Sequence, residues 1–139
     1  MAGNTASTTA NGWNHAQANC AIGDITIDRV VDMERLAYSA KVMLPTADEA
    51  ELRRLAAEMG PRIIDPETMS VSLSFHSYVV RTLKHTILVD TCCGNHKERP
   101  QRVDWHRRDG PFLNNLRARG VEPEDIDFVM CTHLHADHV

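Results

Sequence analysis

The sequence predicts an α/β domain: a mixed sheet with flanking helices. Three observations point there. Runs of β-branched or alternating apolar residues occur at 25–31, 71–79, 86–89 and 127–131. Two other segments, 46–60 and 111–120, carry apolar residues at helical spacing between polar ones. The order is strand, helix, hairpin, helix, strand, and no apolar run approaches the ~20 residues of a membrane span.

Composition sets the outer bounds. A length of 139 residues suits one domain with a real core and is short for two. With 42% hydrophobic and 24% charged residues, the chain is not disordered over most of its length. A net charge of -4 offers no general attraction to nucleic acid or to an anionic membrane. The first ten residues lack both a basic start and an apolar stretch, so no secretory signal is expected. Cys20, Cys92, Cys93 and Cys131 match neither a disulfide framework nor a C-x-x-C zinc site. Reduced thiols, and with them a cytoplasmic location, are expected.

Residues 1–20, rich in Ala, Asn, Thr and Gly, read as a flexible polar tail, with Trp13 and His15 assigned no role. Residues 21–139 form the domain. Ile25–Val31 is its first strand. Thr46-Ala47-Asp48-Glu49 fits a capping box with Thr46 as N-cap. Leu52, Leu55, Ala56 and Met59 follow as an apolar stripe, and Gly60-Pro61 ends the helix. Val71, Leu73, Phe75 and Val79 alternate with Ser72, Ser74, His76 and Tyr78, as in a strand with one apolar face. Arg81–His85 connects it to Thr86–Val89, whose continuous apolarity suits a strand covered on both faces. His76 and His85 are expected to be surface or hydrogen-bonded residues.

Asp90 ends that strand and opens a loop of small residues, Thr91-Cys92-Cys93-Gly94-Asn95. By itself it is an ordinary turn former. Residues 96–110 are charged and partly basic, a solvated loop in which Trp105 and nearby arginines could line a pocket entrance for anionic or amphipathic molecules. Residues 111–120 read as a short helix with Phe112, Leu113 and Leu116 facing the core, stopped by Gly120. A turn over 121–126 leads into the strand Asp127–Cys131.

The densest chemistry follows: Thr132-His133-Leu134-His135-Ala136-Asp137-His138. Imidazole and carboxylate are the common ligands of zinc and similar ions. In an extended segment residues two apart point the same way, so His133 and His135 can grip one ion. Asp137 and His138 can serve a second ion beside it.

This H-x-H-x-D-H motif after a hydrophobic strand resembles the signature of the metallo-β-lactamase superfamily, and Val89-Asp90-Thr91 resembles its V-D-T/S element. The likeness covers about residues 70–139. It implies the N-terminal half of an αβ/βα metallo-β-lactamase-type sandwich, truncated after the first metal-binding motif. His133, His135, Asp137 and His138 are then metal ligands, and Asp137 is also catalytic, orienting the attacking water. Asp90 supports the ligand loop without binding metal. The implied cofactors are two divalent ions, most readily Zn2+. The implied reaction is hydrolysis of a small-molecule ester, lactone or thioester, with lactonase-like members closest in appearance. In the family a further His for each ion and a bridging Asp lie downstream of the motif, where His76, His96 and His106 do not fall. The resemblance therefore leaves two readings: a hydrolase parent, or an inactive fragment or weak metal-binding module. A half-sandwich would also expose an apolar sheet face, which leaves homodimerisation open. No nucleic-acid or membrane partner is expected.

Overall fold

The computed structural model describes residues 13–14 and 19–139. Of the stretch expected as a tail, residues 1–12 and 15–18, His15 included, lie outside the described residues. Trp13–Asn14 (β1) and Asn19–Ile22 (β2) are strands, paired antiparallel with Trp13 opposite Cys20. β2 turns back into Ile25–Ser39 (β3) with Ile22 opposite Ile25. The two-residue turn uses Gly23 at φ 59, a left-handed value that glycine adopts without steric cost. The first strand was expected over 25–31; β3 runs on to Ser39.

The remaining strands are Ile64–Asp65 (β4), Ser70–Arg81 (β5), Thr86–Val89 (β6) and Phe128–Met130 (β7). Sheet order is β1-β2-β3-β5-β6-β7, with β4 beside β5. β5 and β6 form the expected antiparallel hairpin, Arg81 opposite Thr86. β6 and β7 are parallel, with Leu88 opposite Val129. A parallel pair requires a crossover, and the chain supplies it through the helix Phe112–Ala118 (α3) and a 3-10 turn at Pro123–Asp125. The mixed sheet with its helices is the α/β architecture read from the sequence.

The described chain forms two compact units. In the first, residues up to Asp32 with Phe75–Val139, the core gathers Val30, Val79, Leu88, Cys92, Phe112, Leu116 and Val121. Phe112 and Leu116, one helical turn apart, face inward; Leu113, expected beside them, is 43% exposed. Two residues one turn apart suffice to seat so short a helix. On β5 the inward face is Phe75, Ser77 and Val79. β6 is less covered than its apolarity suggested: Leu88 is buried, Ile87 and Val89 half-buried.

The second unit, Met33–Ser74, contains the short helix Ala40–Met43 (α1) and Glu49–Met59 (α2). The N-cap of α2 is Asp48, not Thr46: its carboxylate accepts from the Glu51 N–H at 2.7 Å. Asp48-Glu49-Ala50-Glu51 satisfies the same capping template two residues later, and the acidic cap suits the helix dipole. Leu52 and Ala56 are buried, while Met59 is half exposed. Asp48→Ala should lower stability by about 1 kcal/mol, while Thr46→Ala should change it little; urea denaturation followed by circular dichroism checks both.

Candidate metal centre

The site lies where two adjacent parallel strands end. Ligand-binding residues gather at the carboxyl ends of parallel strands because the loops that leave them converge there. β6 runs out into Asp90 and β7 into Thr132. The Asp90 N–H donates to the Met130 carbonyl at 2.7 Å, extending the ladder by one bond. Asp90 then turns to φ 63 and Cys92 to φ 59, left-handed conformations uncommon for side-chain-bearing residues. This turn aims the Asp90 carboxylate back across the end of β7.

Three donors meet that carboxylate. The Thr132 N–H reaches Oδ1 at 2.7 Å, and the Thr132 hydroxyl lies 3.0 Å from Oδ2. The His138 Nδ1 lies 2.8 Å from Oδ2. Asp90 is buried, and burial by itself raises a carboxyl's pKa. The Thr132 backbone N–H, the His138 ring and the Thr132 hydroxyl outweigh burial and hold it below the ordinary value. An ionised Asp90 only accepts, so the Nδ1 of His138 is the donor in this contact and its Nε2 is turned toward Asp137.

The backbone fixes the same loop. The His138 N–H donates to the His135 carbonyl at 2.9 Å, and the His138 carbonyl accepts from the Thr91 N–H at 3.2 Å. On this frame the four candidate ligands form two pairs. His133 Nε2 is 3.0 Å from His135 Nδ1, and His138 Nε2 is 3.3 Å from Asp137 Oδ2. The His133 and His138 rings stand 4.0 Å apart, bringing the pairs side by side. His133 and His135 are exposed; Asp137 and His138 are half-buried.

Two donors bound tetrahedrally to one zinc at 2.0–2.1 Å are about 3.3 Å apart. Both pairs approach that spacing, and their mixture of imidazole and carboxylate suits a borderline divalent ion. Among the described residues no three His, Cys, Asp or Glu side chains converge to hold one ion. Each pair can thus contribute two ligands of a larger set.

The sequence offered no role for several residues that build the surroundings. Thr132 bridges Asp90 and the histidine loop, a part that only the fold reveals. Asp32 is buried and accepts from Arg108 Nη1 at 2.6 Å. Its other carboxylate oxygen faces the Cys93 N–H at 3.4 Å. That pair fastens both ends of the 93–108 loop to β3. A Cβ on Gly110 would fall 2.0 Å from the Arg108 guanidinium, so glycine there leaves room for the arginine to reach Asp32. Trp105 is buried, lies edge-on to Phe75 at 5.6 Å, and lines a cavity of about 460 Å³ with Arg99, Arg102, His135 and Asp137. The loop expected to be solvated thus has an ordered, partly buried wall.

The paired cysteines are inert by environment. Burial pushes the Cys92 thiol up to about 12, against a hydrogen bond with Ser77, and the Cys93 thiol to about 11; the charge of Asp32 adds to both. At pH 8 a thiol reagent should label exposed Cys131 and spare Cys92 and Cys93 until the chain is unfolded, as peptide mapping would show. Their folded values exceed the unfolded one, so their contribution to stability is whole below about pH 8.5. It falls as pH rises from there toward 11 and 12, because the unfolded thiols ionise first.

Residues 75–139 match the family model of the metallo-beta-lactamase superfamily. Solved structures share the fold, three of which are as follows. A probable metal-dependent hydrolase from Staphylococcus aureus aligns with TM-score 0.64 at 22% identity, over 85% of this chain and 40% of that one. AbOPH, a hydrolase in the beta lactamase superfamily, aligns at 0.67 and 24%, over 87% and 37%. AidC, a dizinc quorum-quenching lactonase in complex with a product, aligns at 0.65 and 21%, over 86% and 36%. The chain therefore spans about two fifths of the length of these solved relatives. No curated protein matches it at a significant level. The family match lies over the strand pair, Asp90 and the whole histidine loop, the same stretch that carries the candidate ligands.

Proposed function

We propose that the protein containing this chain is a metal-dependent hydrolase that opens a small-molecule ester, lactone or thioester, with a lactone as the favoured substrate. The observation that carries the reading is the Asp90–His138 contact at 2.8 Å. It turns His138 Nε2 toward Asp137, beside the His133–His135 pair. His133 and His135 would hold one ion, and Asp137 and His138 a second, most readily zinc. When bound, such ions acidify a water and polarise a carbonyl. This chain's own contribution is positional. Asp90 and Thr132 set the ring of His138, and the Asp137 carboxylate would accept a water proton and later return it to the leaving group. The lactonase preference is supported by the fold shared with AidC, whose description is that of a dizinc lactonase. A cytoplasmic setting is supported by the four free thiols.

A second reading, a weak metal-binding module without catalysis, is favoured by one observation. The described residues supply donors in pairs and no group of three. Metal analysis of the full-length protein separates the two. Two zinc ions per chain, with ester or lactone turnover lost to a chelator and restored by zinc, is the expected result. One weakly held ion and no turnover on lactone, ester or thioester panels would sink the hydrolase reading.

A further inference from the structure

The loop 96–110 brings two arginines against one indole beside the candidate ligands. The Arg99 and Arg102 guanidinium carbons lie 5.7 and 5.3 Å from the Trp105 ring centroid. A tight turn sets this arrangement: the Arg102 carbonyl accepts from Trp105 N–H at 2.9 Å and from His106 N–H at 2.8 Å, and Arg102 N–H donates to the Arg99 carbonyl at 2.9 Å. The ring is held by Phe75, so the cluster is preorganised. Arg99 donates to the Cys93 carbonyl at 2.8 Å, a neutral partner. Among the described residues, neither Arg99 nor Arg102 is paired with a carboxylate; neighbouring Glu98 is engaged by Arg107, at 2.6 Å through Nε. Two permanent cations and an apolar ring thus share a cavity of about 460 Å³ with His135, Asp137 and Glu98, the last already engaged by Arg107, a volume suited to a small ligand.

We propose that this cavity binds an anionic group, carboxylate or phosphate, on a substrate with an apolar body, Arg102 and Arg99 meeting the charge and Trp105 the apolar part. The inference rests on the hydrolase reading for the claim that the ligand is a substrate; binding itself does not require turnover. Guanidinium pairs with both oxyanions through parallel N–H donors, and the indole offers area without added flexibility. Arg102 is the exposed member of the pair and the natural first contact.

Isothermal titration of the full-length protein, both chelator-treated and zinc-saturated, tests this with n-hexyl phosphate, hexanoate, 1-hexanol and inorganic phosphate. At least one hexyl anion is expected to bind in both states, about tenfold more tightly than 1-hexanol, and which one binds identifies the headgroup. Arg102→Ala should weaken it about tenfold and Arg102→Lys less, with circular dichroism unchanged because the side chain is exposed. Trp105→Phe should weaken the hexyl anion while leaving inorganic phosphate unaltered. Failure of both hexyl anions to bind, equal binding of 1-hexanol, or indifference to Arg102→Ala overturns the proposal. Hydrolysis of a neutral ester and zinc content, measured separately, bear on the hydrolase reading alone.

Discussion

Arg108→Met should destabilise the protein by about 3–5 kcal/mol, the cost of breaking a buried ion pair from one side. Asp32 is 2% exposed, and among the described residues its carboxylate meets Arg108 at 2.6 Å and the Cys93 N–H at 3.4 Å. Removing the guanidinium leaves a buried charge with one weak donor. Asp32→Leu combined with Arg108→Met should recover much of the loss, since apolar replacement of both partners removes the desolvation cost with the attraction. Gly110→Ala should act in the same direction, because the added methyl occupies the space of the Arg108 guanidinium. Urea unfolding of the single and double variants checks the series. Equal stabilities for Arg108→Met and the double variant would show that the pair is not what holds the loop.

Asp90→Asn should weaken zinc binding by the full-length protein by about 10–100-fold, the usual effect of losing a group that orients a metal-bound imidazole. Asparagine tolerates the left-handed backbone at this position, so the substitution leaves the turn intact. Its amide cannot accept from Thr132 and His138 through both side-chain atoms as the carboxylate does. The His138 ring is then free to turn or to take the other tautomer, and Nε2 no longer faces Asp137. Competition against a chromogenic chelator measures the loss. Asp90→Ala should be worse, leaving the Thr132 donors unpaired as well. Unchanged zinc affinity in Asp90→Asn would mean that His138 is held by the backbone bonds alone.

The contrast between what could be read early and what could not follows the range of the interactions. The β5–β6 hairpin, α3 and the histidine loop announce themselves through residues within one segment, by alternation, helical spacing and a dense run of donors. Asp90 could be singled out because it ends an apolar strand in a familiar setting. Thr132 carries no such mark, since its role depends on Asp90, 42 positions earlier. The Asp32–Arg108 pair spans 76 positions between two residues that look, locally, like ordinary surface charges. β1 and β2 were hidden for a different reason: they are short, and Asn and Ala are poor strand formers, so their pairing comes from the Gly23 turn and from β3 as a template. The N-cap of α2 was misjudged by two residues because two capping templates overlap and only geometry selects between them.

The contacts of Asp90 also fix an order of events. Its donors lie 42 to 48 positions later in the chain, beyond both α3 and β7. Closing so long a loop is slow compared with forming a helix or a hairpin. The hairpin that ends in Asp90 is therefore expected to form before the histidine loop docks onto it, an order that φ-value measurements on β6 and β7 would check. Substitutions in β7 or α3 that slow docking should delay capture of metal without altering how tightly it is finally held.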